Sequence, residues 1–400
     1  MNRSRNRVRV AVVGAGFAAS FHLASYARVY GLDLEVVGIA SRTRAKAEAL
    51  AQRHGLTRVY PDLEAVLADD EINMVDLCVP VHLHKDMAIA AATRGKHVVC
   101  EKPLTGYLGP GNTSKLAMYR QVCDDLRAIR QTFAEHGVYL LYAENWIYAP
   151  AVRRGIEIMQ ASGGTILDIR GHESHSGSAS EFSKRWETSG GGALMRLGIH
   201  PLSAAIYLKQ WEGIRRQGRP IHVRAVYGQM ADLTSVASVQ SEEKHWLVTG
   251  WQDVENWSLG ALTFDDGTVA VISASDIALG GLESGMEVYL SNARVRCNMD
   301  PNDTCQAYAP GDSVLGGVFL NEKLETNAGW SCPAVDHDWA SGYQQEVQDF
   351  CEAVAEGRPP VSGIDLAEEA IAVAYALYVS AEQGRRLTLD ELQSCQGSWR

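Results

Sequence analysis

Val8-Arg9-Val10-Ala11-Val12-Val13-Gly14-Ala15-Gly16-Phe17-Ala18-Ala19 is a valine-rich run that stops abruptly at G-x-G-x-x-A and gives way to a helical pattern. Strand, glycine turn and helix in that order form a dinucleotide-binding fingerprint. Gly14 supplies the tight turn, and Gly16 lets the backbone approach a pyrophosphate. Phe17 opens a helix whose N-terminus faces the phosphate charge, and Ala19 lets that helix close on the strand. These four positions are the expected core of a cofactor site.

Outward from this unit, residues 1–145 alternate short apolar strands with helical stretches. Strands are expected at 34–40, 75–79, 97–100 and 138–142, and helices at 44–53 and 116–133. In the second helix Leu116, Tyr119, Val122, Leu126, Ile129 and Phe133 fall on one face. The alternation predicts an α/β Rossmann domain over 1–145, a doubly wound parallel sheet. After Trp146 the strands come as hairpins, 257–264 with 268–273 around Asp265-Asp266-Gly267, and 286–290 with 295–298. Strands at 166–170 and 221–227 complete an α+β domain over 146–400 with a large, open, mostly antiparallel sheet. Helices are expected at 343–356 and 366–382, while 300–340 show no periodicity and receive no assignment.

Composition bounds the function. With 46% hydrophobic and 21% charged residues, a chain of 400 residues can bury sizeable cores. The net charge of −11 argues against nucleic acid or an anionic membrane as partner. No apolar run reaches transmembrane length and the Asn/Arg-rich start lacks a signal-peptide core, so a cytoplasmic protein is expected. Cys78, Cys100, Cys123, Cys297, Cys305, Cys332, Cys351 and Cys395 form no CxxC pair, which predicts reduced, mostly buried thiols and no metal site.

Three further blocks stand out. The first is Val75-Asp76-Leu77-Cys78-Val79-Pro80, then His84, then Gly95-Lys96-His97-Val98-Val99-Cys100-Glu101-Lys102-Pro103. The second runs from Gly190-Gly191-Gly192 to Gly198-Ile199-His200, and the third from Phe350 through Gly357-Arg358-Pro359-Pro360 to Asp365. Together they resemble the Gfo/Idh/MocA family of glucose–fructose oxidoreductase and inositol dehydrogenase, over most of the chain. The resemblance implies a hydride transfer from a secondary ring hydroxyl (C3 being one candidate) of a sugar or glycoside to NAD or NADP. It also implies Lys102 and His200 as the acid–base groups, and a homo-oligomer, dimer or tetramer, built through the open sheet.

The chemistry of the residues agrees with that implication. A lysine at the end of a parallel strand can hydrogen-bond a substrate hydroxyl and stabilise a developing alkoxide. An imidazole such as His200 can take the hydroxyl proton near neutral pH. Pro80, His84, Glu101 and Lys102 are the further expected cofactor contacts, with Glu101 pairing to the ammonium or to ribose hydroxyls. Ser41 and Arg42 occupy the place where NAD enzymes carry an acid, which leaves NAD and NADP both open.

Tyr148, His172, His175, Lys184, Arg185 and Arg196 join Lys102 and His200 as expected substrate contacts. Arg196 departs from the family pattern, which has Asp four residues before the histidine. With Lys184 and Arg185 it either recognises an anionic sugar or pairs with a carboxylate such as Glu173. Residues 105–114 resemble an insertion that acts as a lid or a subunit-spanning arm, and Trp146 can stack on a sugar or fill the core. Two rivals remain at this stage. One is an NAD-dependent glycosidase working by transient oxidation, with a second base among Tyr148, His172, Glu173 and His175; the other is a non-catalytic nucleotide- or sugar-binding regulator.

Overall fold

The computed structural model describes residues 7–299, 305–320 and 322–393, which places Cys395 outside the described residues. Contacts divide the chain into two units, each taken separately below. Unit 1 comprises 1–106, 122–148 and 342–368; unit 2 comprises 107–121, 149–341 and 369–400. A single cut after residue 145 is thus too simple. The helix Tyr343–Glu356 packs on the helix Phe17–Tyr26 inside unit 1, and the segment after Gly106 belongs to unit 2.

Unit 1 is built on six strands: β1 (Arg7–Val13), β2 (Asp33–Ala40), β3 (Arg58–Tyr60), β4 (Met74–Leu77), β5 (His97–Glu101) and β6 (Leu140–Ala143). They form one parallel sheet in the order β3-β2-β1-β4-β5-β6, the Rossmann order. The order reverses between β1 and β4, so a crevice opens beyond their carboxyl ends. The second half of β1 and all of β4 are buried on both sides, which is why Val10–Val13 is a continuous apolar run and why Asp76 in β4 is buried. Short β3, at Arg58-Val59-Tyr60, is an edge strand of three residues and lacked enough pattern to be anticipated.

Unit 2 holds β7 (Ile166–Ser174), β8 (Val223–Ala231), β9 (Trp257–Phe264), β10 (Val269–Ser275), β11 (Glu283–Leu290), β12 (Arg294–Asn298), the short pair β13 (Ala307–Ala309) and β14 (Gly329–Ser331), and β15 (Leu387–Thr388). The main sheet runs β12-β11-β7-β10-β9-β8-β15, antiparallel throughout except for β7 with β10. Both expected hairpins are present. The paired strands β13 and β14 lie inside 300–340, where no periodicity pointed to them.

The sheet has one covered face. The helix Ile199–Gln217 lies against it, with Pro201 so close to Gly171 that a Cβ there would touch the proline ring. This helix was not anticipated because it is buried nearly all round up to Leu208 and buries Lys209 and Glu212 as well, so no clean apolar stripe marks it. Register sets the opposite face: Tyr227, Ala261, Val271, Arg170, Glu287 and Arg296 lie in one cross-strand row. One half of the row, Tyr227, Ala261 and Val271, is apolar, with Val271 37% and Tyr227 43% exposed, and the other half is charged. No helix among the described residues is long and apolar enough to cross a membrane.

Candidate active site

In unit 1 the glycine turn is shaped by steric necessity. Gly14 has φ +119, and a Cβ on it would fall on the Cys78 carbonyl at the end of β4. Its N–H donates to Ala40 O at 2.8 Å, locking the turn to β2. Gly16 differs: it is the N-cap of the helix Phe17–Tyr26, makes no side-chain cap bond, and has open space where a Cβ would stand. The helix thus presents its first N–H groups without a capping side chain, beside room for a ligand, which suits a pyrophosphate. Ala19 is fully buried under the helix, while Phe17 is 62% exposed and packs edge-on against Phe21.

Around this turn the remaining cofactor candidates fall into two groups. Arg42 and Pro80 are exposed, and Ser41 Oγ accepts from Thr43 N–H at 3.3 Å. His84 and Glu101, by contrast, are taken up by the protein. His84 bridges Val79 O at 2.7 Å and Pro103 O at 2.8 Å, stapling the loop after β4 to the turn after β5. Burial holds its pKa below the ordinary histidine value, although both carbonyls favour the charged form. Glu101 accepts from His22 Nε2 at 3.0 Å and from the Lys102 backbone N–H at 3.1 Å. Burial opposes its ionisation, yet the bond and charge of His22, together with Lys102, keep its carboxyl below the ordinary value. The expectation that Glu101 contacts ribose gives way to an anchoring role. Lys102 itself is half-buried, at the cis Lys102–Pro103 junction that ends β5.

One aromatic expectation is corrected here. Tyr148 is buried; its hydroxyl donates to Asp349 at 2.8 Å and accepts from Ser362 N–H at 2.8 Å, so it holds the core of unit 1 rather than a sugar. Trp146, 3% exposed, is likewise a core side chain.

In unit 2 His200 is buried near the start of the helix Ile199–Gln217. The preceding Leu194–Gly198 is a wide π-type turn, and Arg196 projects from it. Its guanidinium makes a two-pronged pair with Asp276, one prong at 3.1 Å, and lies over the Trp251 ring at 4.8 Å. A carboxylate partner is thus found in Asp276, just past β10. Burial pushes the Asp276 pKa up while Arg196 pulls it back. His175 joins the group, its Nδ1 3.5 Å from Asp276, and accepts from Gly177 N–H at 2.9 Å.

His172 does not join it. β7 extends to Ser174, so His172 lies in the sheet on the open face, in register with Ser273, while Gly171 and Glu173 face the helix side. Lys184 pairs with Glu181 at 3.0 Å and Arg185 with Glu187 at 3.0 Å, so these cations also have partners of their own.

The triple glycine before this turn is structural. Gly192 N–H donates to the Glu255 carboxylate, and a Cβ there would strike Glu255; Gly191 has φ +140 with the Tyr378 hydroxyl against it. From Tyr107 onward the 105–114 loop is held within unit 2: Tyr107 N–H donates to Tyr375 OH at 2.6 Å, and Lys115 Nζ to Gly111 O at 3.0 Å. None of the described cysteines forms a disulfide; Cys305 is exposed, Cys332 half-exposed and the others buried.

Sequence reasoning overlooked His22, Asp76 and Asp276. Asp76 carried a usable signal, because a carboxylate inside the apolar run Val75–Val79 must find partners when buried. It finds His22 at 2.8 Å and Tyr26 at 3.0 Å.

Comparison with known proteins sharpens this geometry. A family model described as an oxidoreductase family with an NAD-binding Rossmann fold matches residues 8–118, and one described as the GFO/IDH/MocA C-terminal domain matches 158–296. The chain is similar to D-xylose 1-dehydrogenase (NADP(+)) 2 of Haloferax volcanii, 26% identical, covering 90% of this chain and 94% of the relative. It is also similar to levoglucosan dehydrogenase of Pseudarthrobacter phenanthrenivorans, 28% identical, covering 88% and 90% respectively. Among solved structures, GenD2 from gentamicin A biosynthesis in complex with NAD superposes with a TM-score of 0.77 at 26% identity, covering 96% of each chain.

Proposed function

Since the chain belongs to the Gfo/Idh/MocA family of oxidoreductases, we propose that it oxidises a secondary ring hydroxyl of a neutral sugar or glycoside with NAD or NADP. The observation that carries this reading is the placement of Lys102 at the carboxyl end of β5, in the same unit as the open, uncapped glycine turn after β1. Gly14, Gly16, Phe17, Ala19 and Lys102 are the residues assigned to the cofactor side, with Ser41, Arg42 and Pro80. When bound there, the nicotinamide supplies a hydride acceptor.

The chain's own part is binding and proton handling. Lys102 hydrogen-bonds the hydroxyl and stabilises its developing negative charge. His200 takes the hydroxyl proton. Full-length relatives named as xylose and levoglucosan dehydrogenases support a sugar. The ion pairs of Arg196, Lys184 and Arg185 favour a neutral substrate over an anionic one. Arg42, with no acid at the end of β2, tolerates a 2′-phosphate, and the NADP-dependent relative keeps both cofactors in view. The exposed apolar residues Tyr227 and Val271 on the open face support a homo-oligomer through the sheet.

The test is turnover with NAD and NADP against a panel of pentoses, hexoses and glycosides, with Lys102→Ala and His200→Ala alongside. Reduced cofactor should accumulate in step with a keto-sugar, and each variant should lose about 10²–10⁴ in rate while still binding cofactor. Wild-type turnover in both variants would displace the site. Free sugar labelled at C2 from deuterated water, without reduced cofactor, would replace the dehydrogenase by the glycosidase. A monomer by light scattering, unchanged by Val271→Glu, would remove the oligomer.

A further inference from the structure

We infer that His22 is a positioning residue for the reaction, tying the helix after the glycine turn to Glu101 and so fixing the backbone from which Lys102 projects. The inference rests on the assignment of Lys102 to the chemistry.

His22 is fully buried on the helix Phe17–Tyr26 and meets a carboxylate on each side: Asp76 of β4 at Nδ1, 2.8 Å, and Glu101 of β5 at Nε2, 3.0 Å. Carboxylates only accept, so both ring nitrogens must donate, which makes the ring an imidazolium. Asp76 is already committed as an acceptor, from Tyr26 OH at 3.0 Å and from the Cys78 thiol at 3.4 Å. Burial works against the charge, but Asp76 holds the His22 pKa well above the ordinary value.

Glu101 is bonded from both ends. One oxygen accepts from His22 Nε2–H, and the other accepts from the backbone N–H of Lys102. Three elements that a Rossmann sheet brings to one crevice are thus joined through one ring. The groups facing this cluster are Tyr26 from the same helix, Asp76 of β4 with Cys78 just past it, Glu101 of β5 with Lys102 just past it, and His84 from the helix His84–Thr93. Glu144 after β6, with Glu346 and Cys351 from the helix Tyr343–Glu356, complete the set. Among them the imidazolium is the buried cation set directly between two acids. His22, Asp76 and Cys78 also lie close enough together to suggest a metal, but each is committed to a hydrogen bond with another member of the set.

The consequence is a link between cofactor seat and reacting lysine. The helix that offers its N-terminus to the pyrophosphate is the one that holds Glu101 in place. Displacing a reacting group by about an ångström can cost on the order of 10²-fold in rate.

The experiment compares wild type, Lys102→Ala, His22→Gln and the double variant. Glutamine is neutral, and its single amide nitrogen cannot stand in for two ring nitrogens that face different carboxylates. For His22→Gln, NAD should bind within about threefold of wild type, while kcat falls about 10- to 100-fold with a smaller change in sugar KM. The acid limb of the kcat–pH profile should move to higher pH, because Glu101 then has one cation fewer beside it. Lys102→Ala and the double variant should turn over at the same residual rate.

A kcat for His22→Gln within twofold of wild type, or losses that multiply in the double variant, would overturn the inference while leaving Lys102 in place. Full turnover by Lys102→Ala would instead overturn the assignment beneath it. Should His22→Gln not fold, nitrogen-15 NMR of the unmodified enzyme decides. Both ring nitrogens protonated at neutral pH supports the bridge, and a neutral ring overturns it.

Discussion

Gly16 and Gly14 sit two residues apart in one turn, and the structure assigns them opposite reasons for being glycine. Gly16 has φ −94 and ψ −163, an extended conformation open to any residue, and no atom lies within 4 Å of where its Cβ would be. Gly16→Val should therefore leave the apo fold within about 0.5 kcal/mol of wild type. The added isopropyl group fills the space proposed for the pyrophosphate. Each charge-assisted bond to that group is worth about 1.5–3 kcal/mol, so losing one weakens NAD roughly 10- to 150-fold. Gly14→Ala is the contrast. Its φ of +119 costs about 1–3 kcal/mol for a residue with a Cβ, and that Cβ would collide with the Cys78 carbonyl, a backbone atom that cannot swing away. This variant should lose stability first and cofactor only as a result. The assay pairs a denaturant melt of the apo protein with calorimetric titration of NAD. Affinity within twofold of wild type in Gly16→Val, or a melt as damaged as that of Gly14→Ala, would refute the reasoning.

Three other outcomes follow from the same contacts. Tyr148→Phe should cost about 1–3 kcal/mol in an equilibrium melt, since the Ser362 N–H and the Asp349 carboxylate lose a buried partner, with sugar KM unchanged; a large rise in KM would return Tyr148 to the pocket. Asp276→Ala leaves the Arg196 guanidinium, only 13% exposed, without its carboxylate and should cost about 3–5 kcal/mol; a change under about 1 kcal/mol would show the pair to be idle. Burial holds the Glu346 carboxyl well above the ordinary value, so the folded chain keeps a proton that the unfolded chain releases. That contribution is full below the unfolded pKa of about 4.3 and fades as pH rises toward the folded value, so Glu346→Gln should lose less stability than wild type between about pH 5 and 8; equal slopes would contradict it.

The sequence by itself determined the local grammar. A valine run ending at Gly14 requires a tight turn wherever it sits, because no Cβ fits at that φ. Asp265-Asp266-Gly267 likewise closes the β9–β10 hairpin by turn chemistry alone, and the strand–helix alternation over 1–145 leads to a parallel sheet because parallel strands need crossovers. Glu-Lys-Pro was legible as a strand end for the same reason. Partnership was not legible, because it depends on residues brought together from distant parts of the chain. Only the tertiary structure turned Glu101 inward onto His22, gave Arg196 the carboxylate of Asp276 across 80 positions, and buried Tyr148 against Asp349. His172 and His175 show the limit most simply. Their spacing left open whether a strand carried them, and the pairing of β7 with β10 and β11 placed His172 on the open face, while His175 was buried beside Asp276. Turn geometry is decided by atoms a few bonds apart; charge pairing and burial are decided by which surfaces the fold brings into contact.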